Sequence, residues 1–455
     1  MPNTLIYPLP YFENSANFFS LLADQPWSVF LDSGYPYSQQ GRYDIFAADP
    51  VCNLVTHGDI TVITENGTSY TSSEDPFDLL KQQLQKHSNS KTALPFNGGC
   101  IGYFGYDLAR RLEKLPEIAV DAEHIPDMAV GIYHWAVVVD HVEQKSYLVG
   151  LAISASDWQS LIERFSVLPA LAASGNFQVG EIKANMDKTD YAKAFTKIQA
   201  YLKEGDCYQV NLSQRFTAQC QGNPWLAYLS LRQQNPAPFS AYLNFPAVQV
   251  LSSSPERFLK LSNGSVETKP IKGTVPRKQN AKADLQQIQH LQASAKDRAE
   301  NLMIVDLLRN DLGKTCDTGS VKVPVLFDVE TYATVHHLVS TVTGELSEKQ
   351  HALDLLKTCF PGGSITGAPK IRAMEIIEEL EPHRRGVYCG AVGYIGFDGN
   401  MDTNIAIRTM VYSDNQLRFW AGGGIVNDSV MEAEYQECFD KAAAMLAVLK
   451  QFSQP

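Results

Sequence analysis

Lys272 stands between Ile271 and Gly273, in a segment punctuated by Pro270 and Pro276. Proline fixes its own backbone dihedral and restricts the residue before it, while glycine admits conformations and close approaches that a side chain would block. A solvated lysine needs no such framing, so Lys272 is a candidate nucleophile. At its ordinary pKa only about one lysine in 2,500 is neutral at pH 7, and nucleophilic work therefore requires removal from water or positive charge close by.

Carboxylates offer the complementary chemistry. Glu434, Glu437 and Lys441 fall at i, i+3 and i+7 of one predicted helix, a single stripe beside its apolar face, and Glu300 lies in the periodic segment "KDRAENLMIVDLLRND". Singly, each reads equally well as a solvated helical charge. Two or three such oxygens together with substrate oxygens suit magnesium, which usually keeps several waters and is rarely caged by protein alone.

Glycine and arginine supply further candidates. "FPGGSITGAPK" at 360–370 has the glycine gap of a phosphate loop, but Ala368 and Pro369 replace the lysine and hydroxyl residue that loop requires, so it is no nucleotide P-loop. "AGGGIV" at 421–426 follows a predicted strand and could present bare backbone N–H groups to an anion, although a tight turn is the commoner explanation of three glycines. Arg408 in "IAIRT" could grip a carboxylate with two prongs or sit in a structural salt bridge.

Elements must hold these groups in place. The chain has 455 residues, long enough for about two domains or one large elaborated fold. Its composition is globular, 44% hydrophobic and 19% charged, and a formal charge of -12 leaves no basic face for nucleic acid. Neither a basic leader with an apolar block nor an apolar run of membrane-spanning length is present, and the eight cysteines form no Cys-x-x-Cys pair. A soluble cytoplasmic protein with reduced thiols is expected.

"GGCIGYFGYDL" (98–108) and "MAVGIYHWAVVVD" (128–140) read as strands, and 171–189 is the most linker-like stretch. The boundary is placed near 175, giving portions 1–175 and 185–455. Tyr191, Phe195, Ile198 and Leu202 recur at helical spacing up to Gly205; "CYQVNLSQRF" follows as a strand; helices are expected over about 285–309, from Pro369 through "KIRAMEIIEEL", and over about 432–450. Between 388 and 426 the pattern is strand, turn "DGN", strand, turn "SDN", strand. Without regular βαβ alternation the fold class is α+β.

"CYQVNLSQRF", "SSSPERF", "PIKGT", "AENLMIVDLLRND", "HHLVST", "PGGSITGAPKIRAME", "MDTNIAIRT", "AGGGIV" and "EAEYQE" occur in the order found in chorismate-utilising enzymes, the family of anthranilate, isochorismate, salicylate and aminodeoxychorismate synthases. The chain resembles that family over nearly its whole length. The resemblance implies two large, mostly antiparallel sheets packed as a sandwich with helices outside, and an N-terminal portion similar to that of anthranilate synthase component I.

Anthranilate synthases generally read Pro-Ile-Ala-Gly-Thr where this chain has Lys272. The lysine therefore argues against anthranilate formation. "DCYQVNLSQRF" and "NPAPFSAYL" resemble the glutamine-dependent, ammonia-using branch, so the resemblance implies amination at carbon 4 of chorismate, for 4-aminobenzoate and folate synthesis, through a covalent Lys272 intermediate. An isochorismate synthase using Lys272 as general base is the alternative. By the same resemblance Glu256 is the general acid; Glu300, Glu434 and Glu437 are the magnesium ligands; and Ser364, Thr366, His337, Tyr388, Arg408, Gly422, Gly424 and Lys441 line the substrate pocket. His337 also reads as a core histidine of an apolar strand. No cysteine is expected to hydrolyse glutamine, so ammonia would come from solution or from a separate glutamine amidotransferase subunit. "LDSG" and "NPAPFS" fall where related anthranilate synthases hold a regulatory tryptophan, which makes Ser33, Tyr43, Pro238 and Phe239 a candidate tryptophan pocket.

Overall fold

The computed structural model describes residues 4–38, 40–87, 92–167, 175–332 and 335–453. Residues 171–174 of the linker-like stretch lie outside the described residues.

Many of the strands are apolar on both faces. In Trp135–Asp140 the side chains alternate between two cores: Val138 enters the layer between the sheets, while Val137 and Val139 face the outer helices. A strand buried on both sides reads as a continuous apolar run instead of an alternating one, hence "WAVVVD". Val29, Ile45 and Val138 of one sheet meet Ile101, Tyr103 and Val392 of the other in that middle layer. Outside the first sheet, Phe30 and Phe46 pack beneath Trp225, Tyr228, Ala442 and Met445. Outside the second, Phe104 and Val130 pack beneath Leu80, Ile304, Leu308 and Leu355. The result is helix, sheet, sheet, helix, the α+β sandwich expected from the sequence.

The sheets have 13 and 12 strands among the described residues, and their paired strands run antiparallel. In the first, Ser28–Asp32 lies beside Phe239–Phe245; in the second, Gly99–Phe104 lies beside Ala391–Gly396. Strands from before and after residue 175 thus share both sheets.

Local physics accounts for the helices that matter. Lys188–Glu204 begins with the Asp187 carboxylate accepting from Asp190 N and ends on Gly205 at φ +83°, where Asp206 N donates to Tyr201 O at 3.0 Å. The single helix expected over 285–309 is two, Ala281–Ala293 and Ala295–Gly313, because Ser294 takes extended dihedrals and caps the second by accepting from Asp297 N. Pro369 is the residue before Lys370–Leu380 and not its first helical position. Met431–Gln451 closes the chain. No described helix is long and apolar enough to cross a membrane, and all eight cysteines are unpaired and buried.

The glycines of "AGGGIV" are neither turn nor loop. They lie inside the strand Gln416–Ile425, paired along its length with Gln209–Gly222, and Gly422 pairs with Ser213. A β-carbon on Gly422 would lie 2.1 Å from the Leu212 carbonyl oxygen, so close approach of two backbones, not a turn, requires glycine there.

Candidate active site

Lys272 sits in a bulge. Its strand, Ile271–Pro276, pairs with Val335–Glu345 at the end of the second sheet, and the register slips between Ile271 and Thr274. Gly273 takes φ +77°, and a β-carbon there would stand 2.9 Å from the Asp297 carboxylate and from Leu291. A bulge re-aims a side chain out of the ladder, and only glycine fits its second position. This is what the proline and glycine framing achieves: Lys272 Nζ is directed at the 360–370 segment and donates to the Ser364 carbonyl oxygen at 3.1 Å. Burial, the largest cause, lowers its pKa below the usual lysine value; Lys441 adds to this, while Glu300, Glu256 and Glu437 oppose it.

Ser364 also serves Glu256. Its hydroxyl donates to Glu256 Oε1 at 2.8 Å, and burial pushes the Glu256 carboxyl up to about 7, against Ser364, Lys272 and the Ile271 backbone. A carboxyl titrating there can hold a proton near neutral pH and release it to a leaving group. The loop carrying Ser364 is fixed from behind. Arg385, buried and paired with Glu381, donates to the Ile365 carbonyl at 2.9 Å, Asn211 Nδ2 donates to the same oxygen at 2.9 Å, and Thr366 Oγ1 donates to Gly362 O at 3.0 Å. Thr366 lies in the predicted region, with its hydroxyl engaged in holding the loop. Sequence reasoning passed over Arg385, Glu381 and Asn211, though a buried i, i+4 Glu-Arg pair was open to it.

Around this pair stand groups suited to anions. Arg408 has φ +52°, uncommon for a non-glycine residue, and its guanidinium makes no ion pair with a carboxylate among the described residues. The structural salt bridge left open for it is therefore not made. Burial, the leading cause, lowers its pKa, with Tyr388 and Glu437 opposing. Tyr388 is buried, stacks on Trp420 with ring centroids 5.9 Å apart, and shares a 3.1 Å hydrogen bond with Ser213. His337 bonds through Nδ1 to Thr274 at 2.8 Å, and burial, aided by Arg408, lowers it to about 4, so it is neutral at physiological pH. Lys441 Nζ donates to Gly422 O at 2.9 Å and pairs with Glu437 at 2.7 Å. Gly424 abuts Gln209, whose Nε2 would stand 2.8 Å from an added β-carbon.

The three predicted metal ligands come from two helices. A β-carbon on Gly423 would lie 3.3 Å from both Glu434 Oε2 and Glu437 Oε1, so the missing side chain leaves a cradle that both carboxylates face. Glu300 of the Ala295–Gly313 helix joins Glu434 through Lys296, whose Nζ lies 3.9 Å from Glu300 and 3.7 Å from Glu434. Burial raises the pKa of Glu300 and Glu434; for Glu437 burial is the largest cause and pushes upward, but Lys441, Lys296 and Lys272 together bring it below its ordinary value. As arranged, no three acidic, histidine or cysteine side chains among the described residues are placed to hold an ion. The donor chemistry, carboxylate oxygens beside a cradle a β-carbon would fill, fits magnesium completed by water and substrate. Lys296 was missed by sequence reasoning, although it lies one helical turn before Glu300.

The spacing Gly98-x-Cys100-x-Gly102 is that of a nucleophile elbow and was overlooked in the sequence. Cys100 lies inside the strand Gly99–Phe104, is 1% exposed, and its thiol is pushed up to about 12 by burial. A strand-interior thiol of that kind offers no nucleophile.

Between the sheets lies a cavity of about 610 Å³, lined by Tyr43, Pro238 and Phe239 among others. Ser33 is absent from that lining, and both its backbone N–H and its hydroxyl donate to Asp44 Oδ1, at 2.7 and 2.6 Å. Three of the four residues of the candidate tryptophan pocket thus meet at one cavity.

The sandwich, the bulged lysine and the acid beside it set out a candidate enzyme active site. Residues 33–447 match the family described as chorismate binding enzyme, and this chain belongs to that family. It is 50% identical over 437 residues, 95% of either chain, to aminodeoxychorismate synthase component 1 of Escherichia coli strain K12. Among solved structures it is similar to anthranilate synthase component I from Streptococcus pneumoniae TIGR4, with a TM-score of 0.78 and 34% identity over 90% of this chain and 93% of that one. The menaquinone-specific isochorismate synthase of Escherichia coli shares its fold, with a TM-score of 0.76 at 18% identity, covering 99% and 95%.

Proposed function

We propose that this protein aminates chorismate at ring carbon 4 to 4-amino-4-deoxychorismate, the branch leading to 4-aminobenzoate and folate. The observation that carries the reading is Lys272 beside Glu256, both fastened to Ser364. Identity of 47–50% over nearly the full length to aminodeoxychorismate synthase component 1 of three bacteria supports it.

Neutral Lys272 forms a bond to carbon 2, the two ring double bonds shift, and the carbon 4–oxygen bond breaks as Glu256 delivers its proton, so hydroxide leaves as water. The new ammonium on the lysine nitrogen loses a proton. Ammonia then bonds to carbon 4, the double bonds shift back, and Lys272 leaves as an amine after regaining a proton. Arg408, Tyr388 and the backbone of Gly422 and Gly424 bind the enolpyruvyl carboxylate, with Ser364, Thr366, His337 and Lys441 around the ring. Glu300, Glu434 and Glu437 would hold magnesium, which when bound supplies positive charge opposite the ring carboxylate.

Ammonia comes from a separate glutamine amidotransferase subunit; the name "component 1" carried by the relatives supports a second component. Eight unpaired buried thiols fit a reducing compartment, the cytoplasm. The test is purified protein with chorismate, a magnesium salt and an ammonium salt, followed by mass spectrometry. A product with one nitrogen in place of one oxygen is expected. Isochorismate with no nitrogen incorporated would instead assign Lys272 the role of general base.

A further inference from the structure

Lys296 is oddly placed by the rules of an isolated helix. It is the second residue of Ala295–Gly313, in the first turn, where the helix dipole favours acids such as its neighbour Asp297. Its partner Glu300 lies four residues later, and lysine before glutamate is the poorer order for an i, i+4 pair. Local helix energetics therefore do not explain the residue. Its contact across to the other helix does: Lys296 Nζ stands 3.7 Å from Glu434 and 3.9 Å from Glu300, bridging acids that are 134 positions apart in the chain.

The three groups differ in freedom. The Lys296 side chain is 52% exposed, against 15% for Glu300 and 5% for Glu434. Neither separation is short enough for a hydrogen bond, so the ammonium neutralises the pair by charge without being locked to it. Glu434 is also held by the Ser429 hydroxyl at 2.6 Å. Glu434 is anchored, Glu300 is largely buried, and the cation is on a long stem at the water side.

We infer that Lys296 is a displaceable internal counter-cation: it neutralises Glu300 and Glu434 until a divalent cation arrives, then swings into water, so divalent-ion affinity is set by competition with this one side chain. This rests on the magnesium reading of Glu300, Glu434 and Glu437.

The test uses the full chain without substrate. Magnesium binding is measured by calorimetry, and manganese binding by its electron paramagnetic resonance signal, for wild type, Lys296→Met and Lys296→Arg. Removing a half-exposed competing charge should tighten divalent-ion binding about five-fold in Lys296→Met and leave Lys296→Arg near wild type. In chelator, Lys296→Met should melt below wild type, and magnesium should close the gap. A structural lysine would shift melting without moving ion affinity. If magnesium binds wild type and Lys296→Met with equal affinity, or binds the variant more weakly, the competition is refuted while the metal reading stands. If neither ion binds any of the proteins even when chorismate is added, the metal reading itself fails and this inference falls with it. Lys296→Gln repeats the measurement if the methionine variant does not fold.

Discussion

Ser364 donates its hydroxyl hydrogen to Glu256 Oε1 at 2.8 Å while its own carbonyl receives Lys272. The acid and the nucleophile are thus held by a single residue, so each can be altered without dismantling the other's support.

Glu256→Gln keeps the shape and removes the proton. Turnover should fall about 10²- to 10⁴-fold, measured as amination rate at saturating chorismate. The folded protein binds the Glu256 proton with a pKa of about 7, above the ordinary 4.5, so this carboxyl lends stability below pH 4.5 that is lost as pH rises through 7. The glutamine variant should therefore melt higher than wild type at pH 8, by a margin on the order of 2 kcal/mol.

The pH profile of kcat/KM should be bell-shaped. Its fall at high pH should reflect loss of the Glu256 proton and its rise at low pH the deprotonation of Lys272, whose pKa burial lowers but which must be neutral before attack. Glu256→Gln should lose the basic limb alone. A wild-type profile with no fall at high pH would remove Glu256 from the acid's role.

Lys272→Ala should abolish covalent capture. Peptide mapping of quenched turnover mixtures should find the substrate ring on Lys272 in wild type and on no residue in the variant. Aminated product formed at full rate by the variant would contradict the covalent route.

Arg408→Ala should raise KM for chorismate roughly ten- to hundred-fold, the worth of a hydrogen bond to a charged group, with a smaller effect on kcat. Because Arg408 has no carboxylate ion-pair partner among the described residues, its loss leaves no paired anion stranded. Its melting temperature should equal or exceed that of wild type.

Tryptophan should raise the melting temperature saturably if the cavity lined by Tyr43, Pro238 and Phe239 accepts it. An unchanged melting curve would dispose of the tryptophan pocket.

Local features were legible in the sequence where one residue carries the signal. Gly205 ends its helix as expected, and the breaks at 397–400 and 414–415 separate the predicted strands. Ser294 was not read as a break because helical periodicity continues on both sides of it. The importance of Lys272 could be read from its prolines and glycine, but the bulge behind it could not, since register depends on the partner strand. The same limit hid Lys296: sequence spacing places it near Glu300 but is silent about Glu434, which only the packing of two helices brings close.

The shared sheets also constrain how such a protein can be recombined. With Ser28–Asp32 laced against Phe239–Phe245, and Gly99–Phe104 against Ala391–Gly396, a crossover near residue 175 would join half-sheets shaped for different neighbours. Chimeras between relatives should tolerate exchange of single outer helices far better than exchange of either half, so catalytic specificity in this architecture is expected to change by point substitution and not by module swapping.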